Sequence, residues 1–184
     1  MKKIFIDCGA YKGEVTKAFL ANRGEGFEVF AFEPNPYAKI HKKNVDYTVF
    51  QKAVWITDGR IPFYINKKKA RSSQSSSLLK EKTSGGLDTK ILVEAVNFGK
   101  WVKDNFSKDD FIVVKMDIEG AEFRVVDSMV ADGSIYYIDE LYMESHAHCI
   151  GLPDSARIEL NEKLSKIDGL VLRDEFIYAE GLRK

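Results

Sequence analysis

Two rhythms of apolar residues alternate along the chain: short continuous runs, and runs with helical spacing. Lys3 to Asp7 is an apolar run with Gly9 two residues beyond it, which predicts a buried strand and a turn. Val15, Ala18, Phe19 and Leu20 give Glu14 to Asn22 a helical face, and Arg23-Gly24-Glu25-Gly26 stops that helix. Glu28 to Phe32 predicts a second strand. Glu33-Pro34-Asn35-Pro36 reads as a turn, Pro36 to Lys43 as a helix with proline in its first turn, and Tyr47 to Gln51 as a third strand.

The rhythm then breaks. Ala53 to Ile56 and Arg60 to Ile65 flank Thr57-Asp58-Gly59, and Asp-Gly between β-rich runs predicts a hairpin. The stretch at about 66–87 is polar, rich in serine and lysine, and without periodicity, which predicts a mobile loop. Order resumes with a strand at Ile91 to Ala95, a helix at Phe98 to Asn105 and a strand at Phe111 to Asp117. A helix at Ala121 to Ala131, a strand at Ile138 to Glu144 and a helix at Asp154 to Ile167, capped by Asp154 or Ser155, come next. Leu170 to Arg173 and Phe176 to Ala179 predict two closing strands turning through Asp174. There is no internal repeat. This alternation predicts an α/β fold: a Rossmann-like, mostly parallel sheet with helices on both faces, and a β-hairpin and mobile loop inserted after the third strand. Ligands of such sheets bind beyond the carboxyl ends of the strands, near the topological switch point.

Composition narrows the class. A chain of 184 residues predicts one domain over 1–184. Hydrophobic residues at 45% and charged residues at 30% fit a soluble globular chain. Lys plus Arg (28) equals Asp plus Glu (28), which excludes a wholly basic surface for nucleic acid but not a local patch. No apolar run approaches the roughly 18 residues of a membrane span. The run behind Met1-Lys2-Lys3 stops at Asp7, unlike a signal peptide. Cys8 and Cys149 make neither a disulfide framework nor a zinc site, and read as reduced thiols of a cytoplasmic protein, with Cys8 a small buried residue.

Candidate chemistry collects at the predicted strand ends. The first strand runs into Asp7-Cys8-Gly9-Ala10-Tyr11-Lys12-Gly13-Glu14. A nicotinamide site wants G-x-G-x-x-G here, but Tyr11 stands at the second glycine, and Asp7 and Glu14 repel a pyrophosphate. An acid beside the turn suits a ligand with an ammonium group. Glu33 follows Gly13 by twenty residues, the spacing at which an acid reaches a ribose diol. Together these point to a nucleoside that carries a cation, S-adenosylmethionine. Further on, Val113, Lys115 and Asp117 share one strand face; a lysine there needs a partner, and Asp117 is within reach. Glu119 and Glu122 sit at the following helix start, where capping and function are both open. Glu144, His146, His148 and Cys149 end the next strand in a pattern that matches no zinc spacing; His146 is a candidate general base, and His148 and Cys149 read as structural.

These blocks together resemble the FkbM family of S-adenosylmethionine-dependent methyltransferases. The matching stretches are Phe5 to Glu14, Phe32-Glu33-Pro34-Asn35-Pro36, Val114-Lys115-Met116-Asp117-Ile118-Glu119-Gly120-Ala121-Glu122 and Glu144-Ser145-His146, of which the third is the most family-specific. The resemblance implies a seven-stranded class I methyltransferase sheet, its last strand antiparallel, and methyl transfer to a hydroxyl oxygen of a sugar or other small molecule. It implies a cofactor site of Asp7, Gly9, Ala10, Tyr11, Gly13, Glu33, Pro34 and Asp117, with Glu33 on the ribose. Tyr11 departs from the smaller or polar residue expected there. The chain starts at the first strand, where many relatives carry a covering segment, so the polar loop or a second subunit of a homo-oligomer is expected to cover the site.

An alcohol becomes a good nucleophile only when its proton is taken, and Asp117, Glu144 and His146 are the candidate catalytic acceptors, with Lys115 beside them. A divalent metal bridging Asp117 and Glu144 is an alternative way to lower the acceptor's pKa, although no metal-ligand set is predicted. Six basic residues against one acid, in Lys67 to Arg71 and Lys80 to Lys82, suggest as a lesser alternative a nucleic-acid methyltransferase that grips phosphates. A non-catalytic S-adenosylmethionine-binding subunit that needs a partner is the third reading. No membrane partner is expected.

Overall fold

The computed structural model describes residues 1–24, 26–41, 47–66, 76–84 and 86–173. The central sheet takes strands β1 (Lys3–Cys8), β2 (Phe27–Phe32), β3 (Thr48–Phe50), β7 (Phe111–Met116), β8 (Glu140–Met143) and β9 (Val171–Arg173). Their order is β3-β2-β1-β7-β8-β9, and every neighbouring pair is parallel. From β1 the chain builds outward through β2 and β3, then crosses back to lay β7 on the other side of β1. The switch point therefore lies between β1 and β7, and the crevice forms beyond their carboxyl ends.

Both sheet faces are covered, which is why the strands read as continuous apolar runs. Ile4 and Ile6 of β1, with Ile112, Val114 and Met116 of β7, pack with three helices: α2 (Phe98–Asn105), α3 (Glu122–Asp132) and α4 (Asp154–Leu164), through Phe98, Val102, Val125, Val126, Met129, Leu160 and Leu164. On the other face Phe5, Val29, Ala31 and Val113 pack against Phe19 of α1 (Glu14–Arg23), whose ring stacks on Phe5 at 3.8 Å between centroids. Cys8 is buried as expected, and burial pushes its thiol pKa well up. Among the described residues no helix is long and apolar enough to cross a membrane.

Three expectations need correction. The Asp-Gly stretch does not close a hairpin. Strands β4 (Ala53–Trp55) and β5 (Gly59–Ile65) are separated by β6 (Thr89–Asn97), parallel to β4 and antiparallel to β5, in a sheet of order β4-β6-β5. Asp58 instead accepts the Asn97 N–H at 3.0 Å. The long β6 can bury Val93 and Ala95 against both Ala53 and Phe63, a burial that a local turn between β4 and β5 does not offer. No helix forms over 36–41, where the Asn35 side chain instead accepts the Tyr37 N–H in a turn; 42–46 lie outside the described residues. Helix α4 begins after Pro153 with no side-chain cap, and ends at Leu164 rather than Ile167.

Six parallel strands are described, with β9 parallel to β8; the second closing strand at Phe176 to Ala179, which would carry an antiparallel seventh, lies outside the described residues.

Candidate active site

Asp7 and Lys115 face each other across β1 and β7. Both are buried, at 0% and 2% exposure, and the Lys115 Nζ lies 3.2 Å from Asp7 Oδ1 and 3.4 Å from Asp117 Oδ2. It also donates to the Gly9 carbonyl at 2.7 Å. Burial disfavours the ammonium, but the charges of Asp7 and Asp117 outweigh it and hold the Lys115 pKa above the ordinary lysine value. The other Asp7 oxygen accepts from Thr16 Oγ1 of α1 at 2.6 Å. One lysine thus ties the ends of β1 and β7 to the turn between β1 and α1.

That turn admits little freedom. Gly9 has φ +83°, and a Cβ there would stand 1.9 Å from the Asp117 carbonyl oxygen. Tyr11 takes a left-handed backbone at φ +47°, uncommon for a residue with a large side chain. Glu33 stabilises it: Oε2 accepts the Tyr11 N–H and Oε1 the Asn35 N–H, both at 2.8 Å. Burial pushes the Glu33 pKa up to about 7, against the downward pull of those two N–H groups and Lys115.

The opposite wall is acidic. Glu122, fully buried at the start of α3, accepts the Ile118 N–H at 3.1 Å and the Gly120 N–H at 2.7 Å. Its Oε1 also lies 2.8 Å from His146 Nδ1. This sets the imidazole so that Nε2 faces Glu119 Oε2 at 3.5 Å, Glu144 Oε1 at 3.7 Å and Asp117 Oδ1 at 3.9 Å. Burial alone lowers the His146 pKa, but the Glu122 hydrogen bond and the charges of Glu122, Glu119 and Asp117 outweigh it and raise the value to about 9. Burial and Asp117 raise the Glu144 pKa.

The serine-rich stretch expected to be a mobile loop contributes to this wall. Its residues 67–75 and 85 lie outside the described residues, but 76–84 are pinned. Ser77 exchanges backbone hydrogen bonds with Tyr64 of β5 and donates through Oγ to the Glu119 carbonyl at 2.7 Å. Leu79 is buried, the Lys82 ammonium pairs with Glu119 Oε2, and the Thr83 N–H bonds the Cys149 carbonyl at 2.8 Å. Glu119 itself sits at φ +59°. His148 Nε2 lies 3.1 Å from the Cys149 sulfur, outside the cleft.

Between the walls lies a cleft of about 310 Å³, at the lower end of ordinary ligand pockets. Of the residues singled out in the sequence, Gly9, Ala10, Tyr11, Glu33, Pro34, Lys115, Asp117, Glu144 and His146 line it. Asp7 and Gly13 do not: Asp7 acts beneath the turn, and Gly13, at φ +78°, starts α1 against the Tyr47 hydroxyl. Sequence reasoning missed the roles of Glu122 behind His146 and of Lys82 on Glu119. It also missed the apolar lining from Ala53, Val54, Phe63 and Leu78. The Glu122-His146 pairing joins residues 24 apart, and nothing in their linear spacing marks it.

A crevice at the switch point of a parallel sheet, lined by a glycine turn and a buried acid, places the protein in the Rossmann-like α/β class, whose ligands bind at that point. The methyltransferase FkbM domain matches residues 7–148, and the chain belongs to that family. Neither the curated proteins nor the solved structures yield a match.

Proposed function

We propose that this methyltransferase takes its methyl group from S-adenosylmethionine and passes it to a hydroxyl oxygen of a sugar or other small molecule, in the cytoplasm. The observation that carries the reading is Glu33, held by two backbone N–H groups in the cleft that Asp117 and Glu144 also line. The residues present fit the cofactor. Glu33 keeps lone pairs for a ribose diol. Gly9 lets the turn pack against the Asp117 carbonyl beside the cleft, and Pro34 and Val54 offer apolar surface to a base. The carboxylates suit an ammonium and a sulfonium.

When bound, S-adenosylmethionine supplies an electrophilic methyl on positively charged sulfur. The protein's part is to align the acceptor oxygen and take its proton. Asp117, Glu144 and His146 converge where the acceptor enters. His146 carries its proton near neutral pH, which leaves the two carboxylates to receive the hydroxyl's proton. Lys115 holds Asp117 in place through Oδ2. The acidic rim opposes a phosphate-bearing acceptor, and Lys82 of the basic stretch is buried on Glu119 rather than displayed to a phosphate backbone.

Calorimetric titration tests the class: saturable binding of S-adenosylmethionine and none of NAD is expected. With an acceptor in hand, Asp117→Ala and Glu144→Gln should each lower kcat at least about 100-fold, as loss of a proton acceptor does. Full activity in both variants would remove the assignment.

A further inference from the structure

We propose that His146, Asp117 and Glu144 form a binding site for one divalent cation, with Glu122 as the residue that orients the histidine. His146 Nε2 faces Glu119, Glu144 and Asp117. The residue is more than nine-tenths buried, and its Nδ1 is occupied by Glu122. In the cation-free protein Nε2 makes no hydrogen bond among the described residues and faces three carboxylate oxygens at 3.5, 3.7 and 3.9 Å; a divalent cation would displace the Nε2 proton and stand in its place among them. Those separations are long for hydrogen bonds and close to what a shared ion requires. Nitrogen and oxygen ligands bind such ions at about 2.1 Å, which sets neighbouring ligand atoms roughly 3.0–3.5 Å apart. For the proposed ligands, a contraction of a few tenths of an ångström brings Glu144 Oε1 and Asp117 Oδ1 to that spacing from His146 Nε2.

The outer arrangement also matches a metal site. A ligating imidazole almost always gives its second nitrogen to a carboxylate, which fixes the ring and frees the other nitrogen. Glu122 does this from full burial, itself held by the N–H groups of Ile118 and Gly120. Ligand atoms of Asp117, Glu122 and His146 all lie within 4.8 Å of one another. Charge points the same way: among the described residues, the five carboxylates Asp7, Asp117, Glu119, Glu122 and Glu144 pair with three cationic side chains, Lys82, Lys115 and His146. One nitrogen with several carboxylate oxygens suits manganese or a similar borderline-hard ion. The contribution of that ion to methyl transfer, polarising the acceptor hydroxyl, rests on the function proposed above; the binding does not.

The test uses chelator-treated full-length protein without S-adenosylmethionine, so that it succeeds or fails independently of the methyltransferase reading. Titration with MnCl2 followed by calorimetry and electron paramagnetic resonance should show one saturable site. Glu122→Gln should weaken it roughly 10- to 100-fold, as loss of an orienting partner does, and His146→Ala at least as much. Glu94→Gln, on the exposed face of β6, should leave it unchanged. In the wild-type protein, which avoids any folding defect of a variant, Mn2+ should broaden the ring signals of His146 and spare those of His41. Absence of saturable binding of Mn2+, Mg2+ and Zn2+ overturns the proposal. So does Mn2+ binding that neither broadens His146 nor responds to folded Glu122→Gln.

Discussion

Glu33 joins structure and chemistry through one carboxylate. Its folded pKa of about 7 lies above the ordinary carboxylate value of 4.5. The native state therefore binds a proton that the unfolded state has released between those values. The stability Glu33 contributes is fully present below about pH 4.5 and is lost as pH rises through 7. Urea midpoints measured from pH 4.5 to 8 should fall more steeply for the wild type than for Glu33→Gln. On the proposed ribose role, an ionised Glu33 would accept from both hydroxyls, so cofactor binding should move the other way. Calorimetry should find tighter binding of S-adenosylmethionine at pH 8 than at pH 6, and that difference should vanish in Glu33→Gln. The Glu33 spacing from Gly13 was legible in the sequence. Its grip on the Tyr11 and Asn35 amides was not, because a left-handed tyrosine leaves no mark in composition or periodicity.

Among the elements, segment 76–84 shows where sequence pattern fails. Its polar residues predict mobility, yet Ser77 and Lys82 spend their polar groups on Glu119, and Leu79 is buried. Periodicity reads apolar spacing, and this segment is held mostly by hydrogen bonds and one ion pair. The pair is mostly buried, with Lys82 at 1% and Glu119 at 16% side-chain exposure. Lys82→Ala leaves that acid with only the longer contact to His146 at 3.5 Å, a loss of up to about 3–5 kcal/mol for a buried pair. Faster hydrogen exchange of the Thr83 and Ser77 amides should reveal the loosened segment. The turn after β1 is the other fragile element. Gly9→Ala meets the Asp117 carbonyl and a left-handed backbone that alone costs about 1–2 kcal/mol, so its urea midpoint should drop clearly. Strands β1, β2 and β7 and helix α2 were legible because their residues bury against neighbours on a regular period. Strand β6 was half legible: its apolar core showed, but its insertion between β4 and β5 depends on a pairing between distant segments.

Across the whole molecule, the two sheets share one core. Phe98, fully buried at the start of α2, belongs to the same cluster as Ile6 of the large sheet and Val54 of the small one. Trp101 packs edge-on to Phe30, Phe32 and Phe50, and Trp55 sits in β4 against both clusters. The sheets should therefore unfold together. Fluorescence of Trp55→Phe and of Trp101→Phe, each leaving one reporter, should trace a single transition with the same cooperativity. Phe98→Ala should lower stability by about 3–5 kcal/mol, seen as the same fall by fluorescence and by circular dichroism. The parallel sheet and its switch point followed from strand–helix alternation; the merging of two sheets into one core did not, since no local pattern reports it.

The pairing of β4 with β6 has a consequence for how such chains diversify. Ala53, near the entrance of the excursion, lies beside Ala95, near its exit, so both splice points sit together. Everything between them can be exchanged as a cassette without re-registering the parent strands. Phe63 and Leu78 ride on that cassette and line the cleft, so transplanting it from one homologue into another should alter acceptor preference more than it alters the grip of Glu33 on the donor.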